Sequence, residues 1–262
     1  MTSPHHIPHV KTPIWLYILS WFVVWLHVLR GVLTLFILFP FVSPGTKKSH
    51  IQRWSKRLLK IFGIQLQVSN AQALPQTSYL LASNHVSWMD IHVINSFKPI
   101  RFVAKSEVEK WPIFGWMAKQ LGTVFIRRDS SRHARQVVGE MATALKEQSI
   151  CIFPEGTSTI GKTVQTFKPN LFEAAVLAQV PICTLALAYF DRDSGEHSEV
   201  PAFVGDMGLL GSMASILKNR NLKVELQFFP PAVGSPDQMQ DRKWLSQHSQ
   251  EEIAGYLSQN CN

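Results

Sequence analysis

The chain has 262 residues, 46% of them hydrophobic and 17% charged, and a formal net charge of +8. All of that excess sits in the first 70 residues, which hold Lys11, Arg30, Lys47, Lys48, Arg53, Lys56, Arg57 and Lys60 and no acidic residue, while the other 192 balance 18 basic against 18 acidic side chains. A remainder that is neutral on balance argues against nucleic-acid binding, which needs basic residues spread through the folded domain.

The leader opens with His5, His6 and His9 beside prolines, a weak metal tract that reads as a polar tail. Between Lys11 and Arg30 lie 18 uncharged residues, and between Arg30 and Lys47 another 16, mostly Leu, Ile, Val, Phe and Trp. A spanning helix needs roughly 20 apolar residues, so each half alone is marginal. Three readings compete: one tilted transmembrane helix with Arg30 snorkelling, a hairpin in one leaflet broken near Arg30-Gly31, or a cleaved signal peptide. The apolar run is too long for the last, and no small-residue cleavage site precedes Lys47. Membrane attachment is therefore expected, in a hairpin or interfacial mode in preference to a full span. Trp15, Trp21 and Trp25 suit an interface or a packed core equally well.

In the basic cluster that follows, Ile51, Trp54, Leu58, Ile61 and Phe62 share one helical face and the cations another. Such a helix suits a surface of anionic lipid. Residues 1–65 are thus read as a hydrophobic membrane segment ending in a basic amphipathic helix, and residues 66–262 as one globular domain.

In that domain, short apolar runs at 79–82, 100–104, 123–126, 150–153, 182–188 and 222–229 predict strands. Helical stretches at 89–97, 113–121, 131–147, 169–179, 209–218 and 240–257 lie between and after them. The alternation predicts an α/β fold, a mixed, mostly parallel sheet covered by helices. Residues 192–201, polar and containing Gly195, read as an exposed loop. Cys151, Cys183 and Cys261 show no paired spacing, and no zinc site or disulfide framework is indicated.

Two polar clusters follow apolar runs. In Asn84-His85-Val86-Ser87-Trp88-Met89-Asp90, His85 and Asp90 would point about 140° apart on a regular helix. They meet if His85 lies in the turn before the helix and Asp90 in its first turn. A carboxylate holding one imidazole nitrogen leaves the other free as a base, fit to deprotonate an alcohol during acyl transfer. Alone, this spacing is more often capping or packing. The second cluster, Phe153-Pro154-Glu155-Gly156-Thr157, sits at another strand end, where the glycine lets a ligand approach the backbone. Its bland reading is a turn with Glu155 exposed. Between the clusters, Gly122-Thr123-Val124-Phe125-Ile126-Arg127-Arg128 sets two arginines past a strand, a pattern suited to anion recognition or to a plain solvated surface.

Together with the strand entered at Val180-Pro181-Ile182, these blocks resemble the glycerolipid acyltransferase family, which includes the 1-acylglycerol-3-phosphate acyltransferases. The resemblance covers residues 79–188. It implies single-step transfer of a fatty acyl group from a coenzyme A or acyl-carrier-protein thioester to the hydroxyl of a lysophospholipid, without a metal or other cofactor. By that analogy His85 is the general base and Asp90 orients it. Arg128, with Arg127 and Lys105, would hold the anionic headgroup; Glu155, Gly156 and Thr157 would shape the acceptor site, and the strand after Pro181 would line an acyl groove. The chain departs from the common pattern at Arg127, where an acidic residue is usual, and at Ser158-Thr159, where Arg-Ser is usual. These changes put the acceptor in doubt more than the reaction. Lysophosphatidic acid is the first expectation and lyso-ornithine lipid the alternative; a membrane-associated thioesterase, activating water, is the reading from another class. The basic flank and lack of a cleavable signal favour an active site on the cytoplasmic side of the inner membrane.

Overall fold

The structure, a computed structural model, describes residues 12–127 and 131–261. Its centre is a seven-stranded sheet of β1 (Ile64–Ser69), β2 (Leu80–Ser83), β3 (Arg101–Lys105), β4 (Val124–Ile126), β5 (Ile150–Ile152), β6 (Ile182–Asp191) and β7 (Leu222–Phe228). The spatial order is β1-β7-β6-β2-β5-β3-β4. From β6 to β4 every neighbouring pair is parallel; β7 runs antiparallel to β6 and carries β1 parallel on its outer side. The sheet is therefore mixed and mostly parallel, as the alternating pattern predicts.

Burial explains the sequence signal. Every residue of β2 and β5 is buried, as are the first nine of β6, because helices cover both faces of these strands. β7 alternates between buried and half-buried positions. β1 was not among the expected strands, and it begins at Ile64, inside the segment assigned to the leader. Its alternation of Ile64, Leu66 and Val68 with two glutamines suits an edge strand with one packed face.

The helices are α1 (Ile14–Leu33), α2 (Pro44–Phe62), α3 (Asp90–Phe97), α4 (Ser106–Glu109), α5 (Phe114–Gln120), α6 (Ser131–Leu145), α7 (Glu173–Ala178), α8 (Leu209–Lys218), α9 (Pro236–Gln240) and α10 (Arg242–Asn260). Two cores result. One joins the sheet to α1, α2, α3 and α8; the other joins it to α6, α7 and α10. The 192–201 segment is not simply an exposed loop. It folds back along β6, where Ser198 N donates to Tyr189 O at 2.8 Å and Ser198 is buried.

The N-terminal helices are paired differently from the sequence expectation. α1 does not break at Arg30-Gly31 but continues through a π turn and a 3-10 turn, so the apolar helical run is Ile14–Phe41. The chain then reverses, with Ser43 capping α2 through Thr46 N and Pro44 at its first turn. The hairpin partners are this apolar run and the basic amphipathic helix. Gly31 is where they approach, since a Cβ there would stand 2.7 Å from Trp54 Nε1. Trp54 Nε1 donates to His27 O at 3.2 Å, and the two rings stack with centroids 4.5 Å apart. On α2 the apolar face packs inward, while Lys48, Arg53, Lys56, Arg57 and Lys60 are exposed. The leader is thus part of the domain's own packing.

Candidate active site

At the end of β2 an asparagine side chain takes over from the backbone. Asn84 Nδ2 donates to Leu187 O and Asn84 Oδ1 accepts from Leu187 N, both at 2.8 Å, so the contact with β6 continues while the main chain turns towards α3. His85 lies in that turn and Asp90 is the first residue of α3. The arrangement expected from their spacing is present: His85 Nδ1 and Asp90 Oδ2 are 2.8 Å apart. The same oxygen accepts from Val86 N at 2.7 Å and Ser87 N at 2.9 Å. Asp90 Oδ1 accepts from the Tyr189 hydroxyl at 2.8 Å. Asp90 is 0% exposed, and a buried carboxylate is tolerable only when saturated with donors in this way. Burial also holds the Tyr189 hydroxyl well above the usual phenol range, so it remains a donor. With Nδ1–H committed to Asp90, His85 Nε2 is the acceptor nitrogen, on a side chain that is 22% exposed.

β5 pairs with β2 in parallel, Ala82 facing Ile152, which brings the second cluster alongside. Glu155 is not the exposed residue of a simple turn. Its Oε1 accepts from His85 N at 2.7 Å and its Oε2 from Gln165 N at 2.9 Å, tying two loops together. Burial pushes its carboxyl up to about 7, although both backbone bonds pull the other way. Phe153 stacks on the His85 ring at 4.1 Å between centroids and 17° between planes. Gly156, at φ 72°, makes the turn a side chain would strain. Gly156 and Thr157 join Glu155, Gln165, Lys168 and Gln250 around a polar cleft of about 480 Å³.

Ser158 and Thr159 are bonded to the protein's own backbone. The Ser158 hydroxyl donates to Phe203 O, Thr159 N donates to His85 O at 2.9 Å, and Thr159 Oγ1 accepts from Gly161 N at 3.2 Å. Lys105 and Arg127 stand at the ends of β3 and β4, two and three strands from β2. Arg128 lies outside the described residues. Among the described residues, His85, Lys105, Arg127 and Glu155 belong to the carboxyl edge of the parallel strands, where ligands of open α/β sheets bind.

On the α2–α3 side is an apolar cavity of about 160 Å³, walled by Leu35, Trp54, Trp88, Phe102, Phe114 and Met117 among others. Phe102 also stacks on Phe153, with centroids 6.1 Å apart. The cavity wall is therefore one ring removed from His85. The strand entered at Pro181 does not line it; Ile182 and Cys183 are buried in the middle of the sheet. Among the described residues, no three His, Cys, Asp or Glu side chains converge as a metal site requires.

Chemically, the site offers a base held by a buried carboxylate, one ring away from the wall of an apolar cavity and bonded through its backbone N–H to Glu155, which lines a polar cleft. Tyr189, Asn84, Phe153 and the cavity wall were not foreseen in these roles. Tyr189 gave no signal, since it ends an apolar run that reads as core.

Comparison with known proteins gives the family and the fold. The model of the family described as Acyltransferase matches residues 65–188. A lyso-ornithine lipid O-acyltransferase of Pseudomonas aeruginosa is 34% identical over 201 residues, covering 76% of this chain and 75% of that protein. A 1-acyl-sn-glycerol-3-phosphate acyltransferase of Neisseria gonorrhoeae is 28% identical over 220 residues, 84% and 85% of the two chains. The crystal structure of the 1-acyl-sn-glycerophosphate acyltransferase PlsC of Thermotoga maritima superposes with a TM-score of 0.64 at 21% identity, covering 93% of this chain and 95% of that one.

Proposed function

The chain belongs to the acyltransferase family, and from that premise we propose that it moves a fatty acyl group from a thioester to the free hydroxyl of a lysophospholipid. The observation that carries the reading is the His85–Asp90 pair, linked through Phe153 and Phe102 to the wall of an apolar cavity fit for hydrocarbon and through Glu155 to a polar cleft fit for a headgroup. His85 Nε2 takes the proton of the acceptor hydroxyl as its oxygen attacks the thioester carbonyl. The C–S bond then breaks, and the thiolate leaves with the proton returned by the imidazolium. Asp90 fixes the tautomer and supports the transient positive charge. Glu155 positions His85 through its backbone N–H. The donor is a coenzyme A or acyl-carrier-protein thioester, which brings its own leaving group.

Lysophosphatidic acid is the acceptor we propose first, its phosphate met by Arg127 and Arg128 with Lys105 nearby. A second acceptor, lyso-ornithine lipid, is favoured by a specific observation. The relative at 34% identity bears that name, and the two hydroxyl residues that depart from the common motif are engaged by backbone groups of the protein, Phe203 O and Gly161 N.

The chain's apolar leader fits membrane association. The Ile14–Phe41 run spans roughly 42 Å as a helix. Ile18, Phe22, Leu29, Phe36 and Phe41 are exposed along it, whereas Val24, Val28, Leu35 and Phe39 pack on the domain. One face bound to the protein along the whole run supports attachment to a single leaflet. The exposed cations of α2 would meet anionic headgroups on the cytoplasmic side of the inner membrane.

The test is acyl transfer by the detergent-purified full chain, given labelled acyl thioesters and each lysolipid in parallel. His85→Ala should lose roughly 10²–10⁴ in rate while the domain remains folded. Product from one lysolipid identifies the acceptor. Release of free fatty acid with neither acceptor consumed would replace the proposal with a thioesterase.

A further inference from the structure

Two of the residues that line the apolar cavity each carry a polar side-chain atom without a hydrogen-bond partner. Ser55 Oγ and His92 Nδ1 are buried without a hydrogen-bond partner, and both residues line this cavity, Ser55 from α2 and His92 from α3. Buried polar groups are nearly always bonded, so a pair of exceptions on residues that line one cavity points to a ligand atom.

The local alternatives are unused. A helical serine ordinarily bonds back to the carbonyl four residues earlier, as Ser20 does with Leu16 O at 2.6 Å and Ser49 with Gly45 O at 3.2 Å. Ser55 does not. His27, next to it across Trp54, has a partner in Trp54 O at 3.0 Å. His92 instead is wedged between Trp54 and Trp88, with ring centroids at 5.2 and 5.9 Å, and burial pulls its imidazole down to about 4. A neutral imidazole and a hydroxyl each donate and accept, so together they suit a group that does both. The rest of the wall, including Trp54, Phe102 and Met117, suits hydrocarbon.

We propose that the acyl chain received by this cavity carries a hydroxyl group, held between Ser55 and His92, so that the preferred donor is a hydroxylated fatty acyl thioester. This rests on the acyl-transfer reading above and adds the chemistry of the chain transferred. An ordered water would satisfy the same two atoms, but it would confer no preference among chains.

The experiment uses the detergent-purified full chain with same-length acyl thioesters, one saturated and the others bearing a single hydroxyl at successive carbons. One position should be preferred over the saturated chain by about tenfold in kcat/KM, the scale of a hydrogen bond or two in a dry site. In Ser55→Ala and in His92→Phe that ratio should fall towards unity. The ratio is internal to each variant, so a partial loss of folded protein does not alter it. Equal use of all chains, or a preference that persists in both variants, overturns the inference while transfer of the saturated chain still stands. If no thioester is consumed, the transfer reading fails by itself, and melting curves with free fatty acids judge the cavity. A hydroxylated acid that stabilises the parent more than the saturated acid, but not the variants, supports the hydroxyl site; equal stabilisation refutes it.

Discussion

Tyr189→Phe removes a single oxygen from behind the reactive pair, and its consequences follow from the donor count at Asp90. Three donors converge on Oδ2, whereas Oδ1 has the Tyr189 hydroxyl at 2.8 Å. Phenylalanine keeps the ring and its packing, so the change is confined to one hydrogen bond to a charged acceptor, worth roughly 1.5–3 kcal/mol. A domain of this size shifts its melting temperature by about 2–4 °C per kcal/mol, which gives an expected drop of about 3–12 °C. His85 keeps its own bond to Oδ2. Activity should therefore fall by about tenfold, well short of the 10²–10⁴ expected for loss of the base. Because Tyr189 is fully buried behind Asp90, the loss should appear in kcat with KM unchanged. The assay is thermal melting together with steady-state acyl transfer, repeated in an Asp90→Asn background, where the second change should cost much less because the charge it served is gone. A Tyr189→Phe enzyme as stable and as fast as the parent would refute the account of how Asp90 is held. So would one as inactive as His85→Ala.

Three further outcomes follow from the same structure. The Glu155 carboxyl lies at about 7 against an ordinary 4.5, so the folded protein keeps a proton that the unfolded chain has released; its contribution to stability is fully present below about pH 4.5 and lost as the pH rises through about 7. The parent's melting temperature should fall between roughly pH 5 and pH 8 by more than that of Glu155→Gln, and parallel curves would exclude Glu155 as the titrating group. Gly31→Ala puts a methyl 2.7 Å from Trp54 Nε1, which overpacks the hairpin by about 1–3 kcal/mol and moves a cavity wall; melting should show the cost and product analysis a change in acyl-chain length, and an unchanged protein would mean that the helices are not this close. Charge placed on the exposed face, as Phe22→Glu with Leu29→Glu, removes apolar burial worth about 1.5–3 kcal/mol per side chain, so flotation with anionic vesicles should weaken by tenfold or more while melting is unaffected, and equal flotation would move the membrane contact elsewhere.

What was legible in the sequence depended on how local the cause was. His85 and Asp90 meet because a turn before a helix start brings residues five apart together, and both the turn and the helix could be read from adjacent residues. The buried strands announced themselves as unbroken apolar runs. Tyr189 was not readable as a partner, because its hydroxyl reaches Asp90 from 99 positions away through strand order alone. Gly31 reads as a helix breaker, yet it serves as a close-approach site, a distinction that depends on Trp54 lying opposite. The motif alone leaves Glu155 either an exposed turn residue or part of an acceptor site; only the register of β5 against β2 shows that it is buried and bonded to His85 N. The cavity was the least legible feature, since its wall draws on at least four helices and a strand, none of which is unusual by itself.

The hairpin of α1 and α2 supplies Gly31, Leu35, Ile51 and Trp54 to the same cavity that α3 and β3 complete. The anchor and the pocket are therefore one object, and they cannot be engineered separately. Deleting the leader to obtain a soluble enzyme would leave the cavity open to solvent on one side. Grafting a foreign anchor in its place would restore attachment without restoring the wall. On the proposed function, selection on where the protein sits and selection on what it accepts would act on opposite faces of the same helix, and a change of lipid surroundings would reach the cavity through a single layer of side chains.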